Sequence, residues 1–148
     1  MRSAVDFHSR YTRVKDRPSD AFPEQTELWS PIVQIILRHD KKHFGAFGLL
    51  DTGSNWTIIG SKYADPLGMD WRRAPSMTFA GIGNAKNVGY AMDVKLVLVP
   101  CNYAWDARVV VSEAADPFPM ILLGHLGFFD HFDATFQTRL QHFHVHRK

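Results

Sequence analysis

The stretch Leu49-Leu50-Asp51-Thr52-Gly53-Ser54-Asn55-Trp56-Thr57-Ile58-Ile59-Gly60 sets a carboxylate on a tight turn between two apolar runs. Both runs read as buried strands, short and apolar and separated by turn residues. An ionised carboxylate in such a place is costly unless donors surround it, and Thr52, Gly53 and Ser54 bring two hydroxyls and closely spaced backbone N–H groups. That is how a carboxylate is prepared for chemistry. Asp, Thr, Gly and Ser are also ordinary turn residues, so the tripeptide takes its meaning from the chain around it.

Length and composition bound that meaning. The 148 residues suit one domain with a real core. The formal charge is +2 at pH 7 and charged residues make up 22% of the chain, with the densest basic pieces at residues 39–43 and 146–148. These read as a solvated turn and a solvated tail, not as the basic stripe with interleaved aromatics of a nucleic-acid binder, so no nucleic-acid partner is expected. Cys101 is the sole cysteine, which rules out an intrachain disulfide and a thiolate cluster and favours a reducing compartment. Charges are spread through residues 1–17, unlike a signal peptide, and no apolar stretch approaches the length of a membrane span. The expectation is a soluble cytoplasmic protein with no membrane partner.

Residues 1–30 are polar and broken by Pro18 and Pro23, and read as an irregular arm. From Pro31 the texture changes to short strands. Residues 32–37 and 44–50 form a hairpin around a charged turn and feed Asp51; residues 56–59 are a third strand, and 61–69 a loop or one helical turn before Asp65-Pro66. Residues 77–80 and 90–99 make a longer hairpin whose tip holds Gly81, Ile82 and Gly83, glycines that let it bend. Met92, Val94, Leu96 and Leu98 alternate with their neighbours as one apolar face of a strand, and residues 105–111 repeat that alternation. Residues 120–124 are an apolar strand ending in glycine, 126–132 have the spacing of a short helix, and 133–137 and 140–146 are two last strands. The reading is mostly β with one short helix.

In order, the pieces Leu49-Leu50-Asp51-Thr52-Gly53-Ser54, Gly81-Ile82-Gly83 and Leu122-Leu123-Gly124 resemble the retropepsin-like aspartic proteases, and residues 122–136 look like the ending of their bacterial members. The resemblance covers about residues 31–146. It implies a closed, orthogonal β-barrel over residues 31–148 with a flap hairpin and one short C-terminal helix, preceded by the arm at 1–30. Two positions depart from the family pattern: His125 stands where a basic or amide residue often follows the glycine, and Asn84 where retroviral flaps carry another glycine.

The chemistry the resemblance implies needs two carboxylates side by side, one taking a proton from water and the other giving one to the scissile carbonyl. The chain holds one Asp-Thr-Gly, and Asp65, Asp70, Asp93 and Asp130 lack its flanks. The resemblance therefore implies a homodimeric endopeptidase that uses Asp51 twice, needs no cofactor and acts on a peptide or protein substrate. Thr52 would clasp its counterpart, Gly53 would keep the backbone close to substrate, and Ser54 would bond the outer carboxylate oxygen. Gly81, Ile82 and Gly83 would close over an extended peptide, while Leu122, Leu123 and Gly124 would frame the site from behind. The alternative is a non-catalytic peptide-binding or dimerisation module of the same fold, against which stands the cost of keeping such a carboxylate.

A second pattern is His142, His144 and His146, which the two-residue period puts on one face of a strand. Three imidazoles can hold zinc, but this strand falls where the family places an interface or a sheet edge, where solvated histidines are ordinary. Cys101 has no activating neighbour in the sequence.

Overall fold

The chain is described by a computed structural model at residues 5–81, 83 and 85–147. Strand β4 (Ile32–His39) turns at Asp40, whose φ of 51° fits the left-handed region that Asp tolerates, into β5 (Lys42–Leu50). After the Asp51 turn come β6 (Ile58–Gly60) and α1 (Ser61–Ala64), the single α-helical segment among the described residues. The hairpin of β7 (Ser76–Ala80) and β8 (Lys86–Leu98) follows, then β9 (Tyr103–Ser112) and the short β10 (Ile121–Leu123).

Hydrogen bonding orders these strands β4-β5-β10-β6-β9-β8, and a further pairing of β4 with β8 closes the ring into a six-stranded barrel. Strand β7 hangs from β8 outside the ring. The crucial member is β10. It lies parallel to β5, with Leu123 opposite Leu50, and antiparallel to β6, with Leu122 opposite Ile58. It thus fills the gap that the chain opened when it left β5 at Asp51. The interior is made by the alternating inward residues, among them Ile35, Leu37, Ile59, Leu96, Leu98, Val111, Ile121 and Leu123, all fully buried. Among the described residues no helix is long and apolar enough to cross a membrane.

Two expectations are corrected by the packing. Residues 126–132 do not form the short helix that their spacing suggests. They wind through turns in which Phe129 N–H reaches the Gly124 carbonyl (3.1 Å) and Asp130 N–H that of His125 (2.9 Å). The cause is Gly127, whose φ of 100° is incompatible with an α-helix and whose hypothetical Cβ would lie 2.8 Å from Thr57 Oγ1.

The arm is also more regular than its composition suggests. It carries β1 (Val5–Arg10) and a hairpin of β2 (Thr12–Lys15) with β3 (Glu27–Ser30). Strand β1 pairs with β12 (His142–Arg147), which pairs in turn with β11 (Asp133–Gln137). Val5 and Tyr11 enter the core while Asp6, His8 and Arg10 face out, a period of two that is visible over these few residues once a partner strand is known.

Beneath the turns at 126–132 lies an aromatic cluster. Trp105 meets Phe132 edge-on (centroids 4.8 Å apart, planes at 82°) and Phe128 at 6.0 Å, and its indole N–H donates to the Gly127 carbonyl at 2.8 Å. Phe128 is fully buried. Phe128→Ala should cost about 3–5 kcal/mol, the usual range for emptying such a site, read as a lower midpoint in urea unfolding.

On the far side, Asp116 ties α1 down by accepting from the Ser61 hydroxyl and from the Lys62 backbone N–H, at 2.5 and 3.1 Å. Burial pushes the Asp116 carboxyl up, but these donors and the Lys62 charge outweigh it and hold the group below the usual carboxylate range. A carboxyl lowered in the folded state stabilises the fold above its unfolded pKa and loses that contribution as pH falls through the lowered value. Asp116→Asn should therefore be less stable than wild type near neutrality by ~1 kcal/mol. The gap should close on acidification below the ordinary carboxylate range, as thermal melts across pH would show.

Candidate active site

Asp51 is the first residue after β5, and its backbone N–H still bonds the Leu123 carbonyl at 3.0 Å, so the carboxylate starts from the rigid β5–β10 pair. The chain then turns on itself. Gly53 N–H donates to Asp51 Oδ1 at 2.9 Å, and Ser54 N–H to the Asp51 carbonyl at 3.1 Å, an Asx turn that aims the side chain. Ser54 Oγ donates to the Trp56 carbonyl at 2.6 Å. Its hydroxyl is thus spent within the loop, and among the described residues the donor to the carboxylate is the Gly53 amide.

The loop beyond β10 lies flat on this turn. His125 N–H bonds the Ser54 carbonyl (3.0 Å), Leu126 N–H that of Asn55 (2.9 Å), and Thr57 N–H the Leu126 carbonyl (2.8 Å). Such close approach requires glycine at 124, where a Cβ would stand 2.3 Å from the Trp56 carbonyl oxygen. Thr57, fully buried, accepts from Gly124 N–H at 3.2 Å. The His125 ring adds a bond from Nε2 to the Thr52 carbonyl at 2.7 Å; a carbonyl only accepts, so Nε2 carries the proton.

Asp51 is half-buried, and Thr52 and Gly53 are exposed. They open on a cleft of about 630 Å³ lined by Asp51, Gly53, Ser54 and Trp56 on the floor and by Phe79, Ala80 and Gly81 of the β7 end. Trp56 and Phe79, with ring centroids 6.3 Å apart, bring floor and roof together. The roof is a regular ladder from Ser76↔Tyr90 to Ala80↔Lys86, and Gly81 N–H bonds the Ala85 carbonyl at 3.1 Å near the tip. Gly83 has φ 82°; Ile82 lies outside the described residues. The structure thus brings Asp51, Thr52, Gly53, Ser54, Gly81, Leu122, Leu123 and Gly124 to one region. Sequence reasoning missed Thr57 and Phe79 and gave His125 no role. A signal existed for Thr57, the one polar residue among Trp56, Ile58 and Ile59.

His142, His144 and His146 do not converge. Alternate residues of a strand stand ~6.8 Å apart. His144 Nε2 turns to Asp6 of β1 at 2.5 Å, and His146 Nε2 lies 3.7 Å from Asp133 of β11. Cys101 is half-buried, and burial pushes its thiol up, away from the nucleophilic thiolate.

No protein-family model matches this chain, and no curated protein sequence does. Solved structures do. A retropepsin-like aspartic protease from Rickettsia conorii aligns at a TM-score of 0.61 over 98% of this chain and 93% of its own, with 9% identity. The EIAV protease, in complex with the inhibitor HBY-793, aligns at 0.51 over 65% of this chain and 82% of its own, with 17% identity. At such identities the likeness speaks for architecture, and with the closed barrel, the inserted β10 and the β7–β8 flap it establishes that this chain has the fold of the retropepsin-like aspartic proteases.

Proposed function

We propose that the protein is an aspartic endopeptidase that works as a homodimer, with the two Asp51 carboxylates meeting at the two-fold axis. The observation that carries this reading is a carboxylate held by the Gly53 amide on the floor of a flap-covered cleft, in a chain with one Asp-Thr-Gly. Because one turn supplies one carboxyl, a second must come from a second copy, and a self-complementary two-fold contact is the simplest source. Thr52 and Gly53 are exposed, as a turn must be if it is to meet its counterpart.

Two carboxyls held that closely share a single proton, since both cannot ionise at such a distance. The ionised member takes a proton from water as the water oxygen attacks the peptide carbonyl carbon, while the protonated member gives its proton to the carbonyl oxygen. The resulting gem-diol collapses: the C–N bond breaks, a proton passes to the departing nitrogen, and the pair regains its single proton. The flap accommodates an extended peptide as an added strand and excludes water, and Trp56 and Phe79 offer apolar walls for side chains.

A peptide-library digest with wild type and Asp51→Asn at acidic and neutral pH tests the chemistry. The variant should lose at least ~10³-fold in kcat/KM. Cleavage by Asp51→Asn at the wild-type rate would end the protease reading, and peptide binding without cleavage by either protein would favour the non-catalytic groove. Mixing tests the stoichiometry. With free exchange of subunits, an equimolar blend of wild type and Asp51→Asn should show about one quarter of the activity of the same total amount of wild type, against about one half if each chain acts alone.

A further inference from the structure

Strand β1 supplies what the histidine strand lacks on its own. The register sets Asp6 opposite His146, His8 opposite His144 and Arg10 opposite His142, while β11 sets Asp133 beside His146 and Thr135 beside His144. The inner face of the sheet buries Val5, Phe143 and Val145, so its outer face is free to be polar. There the His8 and His144 rings stack with centroids 4.0 Å apart and planes at 7°, and His144 Nε2 contacts Asp6 Oδ1. One donor atom each from Asp6, His8 and His144 lie within 4.8 Å of one another. A hollow of about 150 Å³ opens beside them, lined by His8, Thr135, Gln137, His142 and His144.

We propose that Asp6, His8 and His144 form a binding site for one divalent first-row transition-metal ion, of which Zn²⁺ is the representative. Two imidazoles and a carboxylate are a donor set suited to such an ion, and three protein ligands leave a position for water. Bond lengths of ~2.0–2.2 Å put tetrahedral donors ~3.3–3.6 Å apart, so donors at the 4.8 Å limit must close in by roughly an ångström, while Asp6 and His144, already in hydrogen-bond contact, must open by about as much as the ion takes the place of the shared proton. Asp6 and His8 are exposed, and neighbouring staggered rotamers give their side chains room for such a shift. The ion belongs at this end of the face because Arg10 stands opposite His142 at the other.

His146 is the adjacent reserve ligand. Its ring stacks on His144 at 4.8 Å, and its Nδ1 is shielded from solvent without a hydrogen-bond partner. Two ligands come from β1 and one from β12, so the ion would clip the N-terminal strand to the C-terminal one. It would stabilise the folded chain by binding that state alone.

The test is titration of the metal-free full chain with Co²⁺, followed by visible absorption, and with Zn²⁺, followed by calorimetry and thermal melting. One ion per chain should bind, and Zn²⁺ should raise the wild-type melting temperature. His8→Ala and Asp6→Asn, both at exposed positions, should each weaken binding by about tenfold or more and abolish the thermal shift. His142→Ala should leave both unchanged. Absence of stoichiometric binding overturns the site, as does affinity that survives in His8→Ala and Asp6→Asn or falls equally in His142→Ala. Circular dichroism of each variant separates loss of a ligand from loss of fold. None of these readouts involves Asp51.

Discussion

The architecture depends on the contact between two loops, residues 51–57 and 124–126. Each belongs to a strand end that has nothing else to do with its polar groups, and each satisfies the other through three backbone hydrogen bonds of 2.8–3.0 Å. Thr57 is fully buried, so its backbone N–H left unmet would carry a penalty comparable to a lost hydrogen bond. The contact is possible because position 124 has no side chain and because Thr57 offers a buried hydroxyl where a purely apolar residue would leave Gly124 N–H unpaired. A carboxylate built on such a base has its direction set by the backbone of the two loops.

Around this contact the molecule divides its labour. The closed barrel removes sheet edges and lends rigidity, while among the described residues β7 pairs as a strand only with β8, and residues 86–89 of β8 only with β7. Rigid floor and slender roof meet through Trp56 and Phe79. His125 belongs to the rigid half: its ring bridges the two loops through the Thr52 carbonyl.

The terminal sheet is a separate solution to a separate problem. Residues 133–147 leave the barrel as a hairpin with one apolar face, and β1 completes it from the other end of the chain. Closing a loop across most of the chain is entropically expensive, and the burial of Val5 and Tyr11 offsets part of that cost. The polar face that results is rich in imidazole and carboxylate because strand alternation leaves every second residue to solvent.

How much of this was legible from the residues follows from the range of the forces involved. The strands from β4 to β12, the flap ladder and the Asp51 turn are local: alternation, β-branching and turn residues act over a few positions, and the order Asp-Thr-Gly, Gly-Ile-Gly, Leu-Leu-Gly needs no partner to be read. Residues 126–132 have helical spacing, yet Gly127 takes a positive φ and packs too closely on Thr57, seventy positions away, to carry a side chain. Residues 5–10 have too short an alternation to stand out, and become a strand because β12 has an open edge. The three histidines of β12 share a face, but ligands must converge on a point, and neighbours across strands lie closer than alternate residues along one. The sequence by itself determined the strand pattern and the identity of the carboxylate. Only the tertiary structure decided what each loop end touches, because those contacts join residues that are far apart along the chain and become neighbours only when the barrel closes.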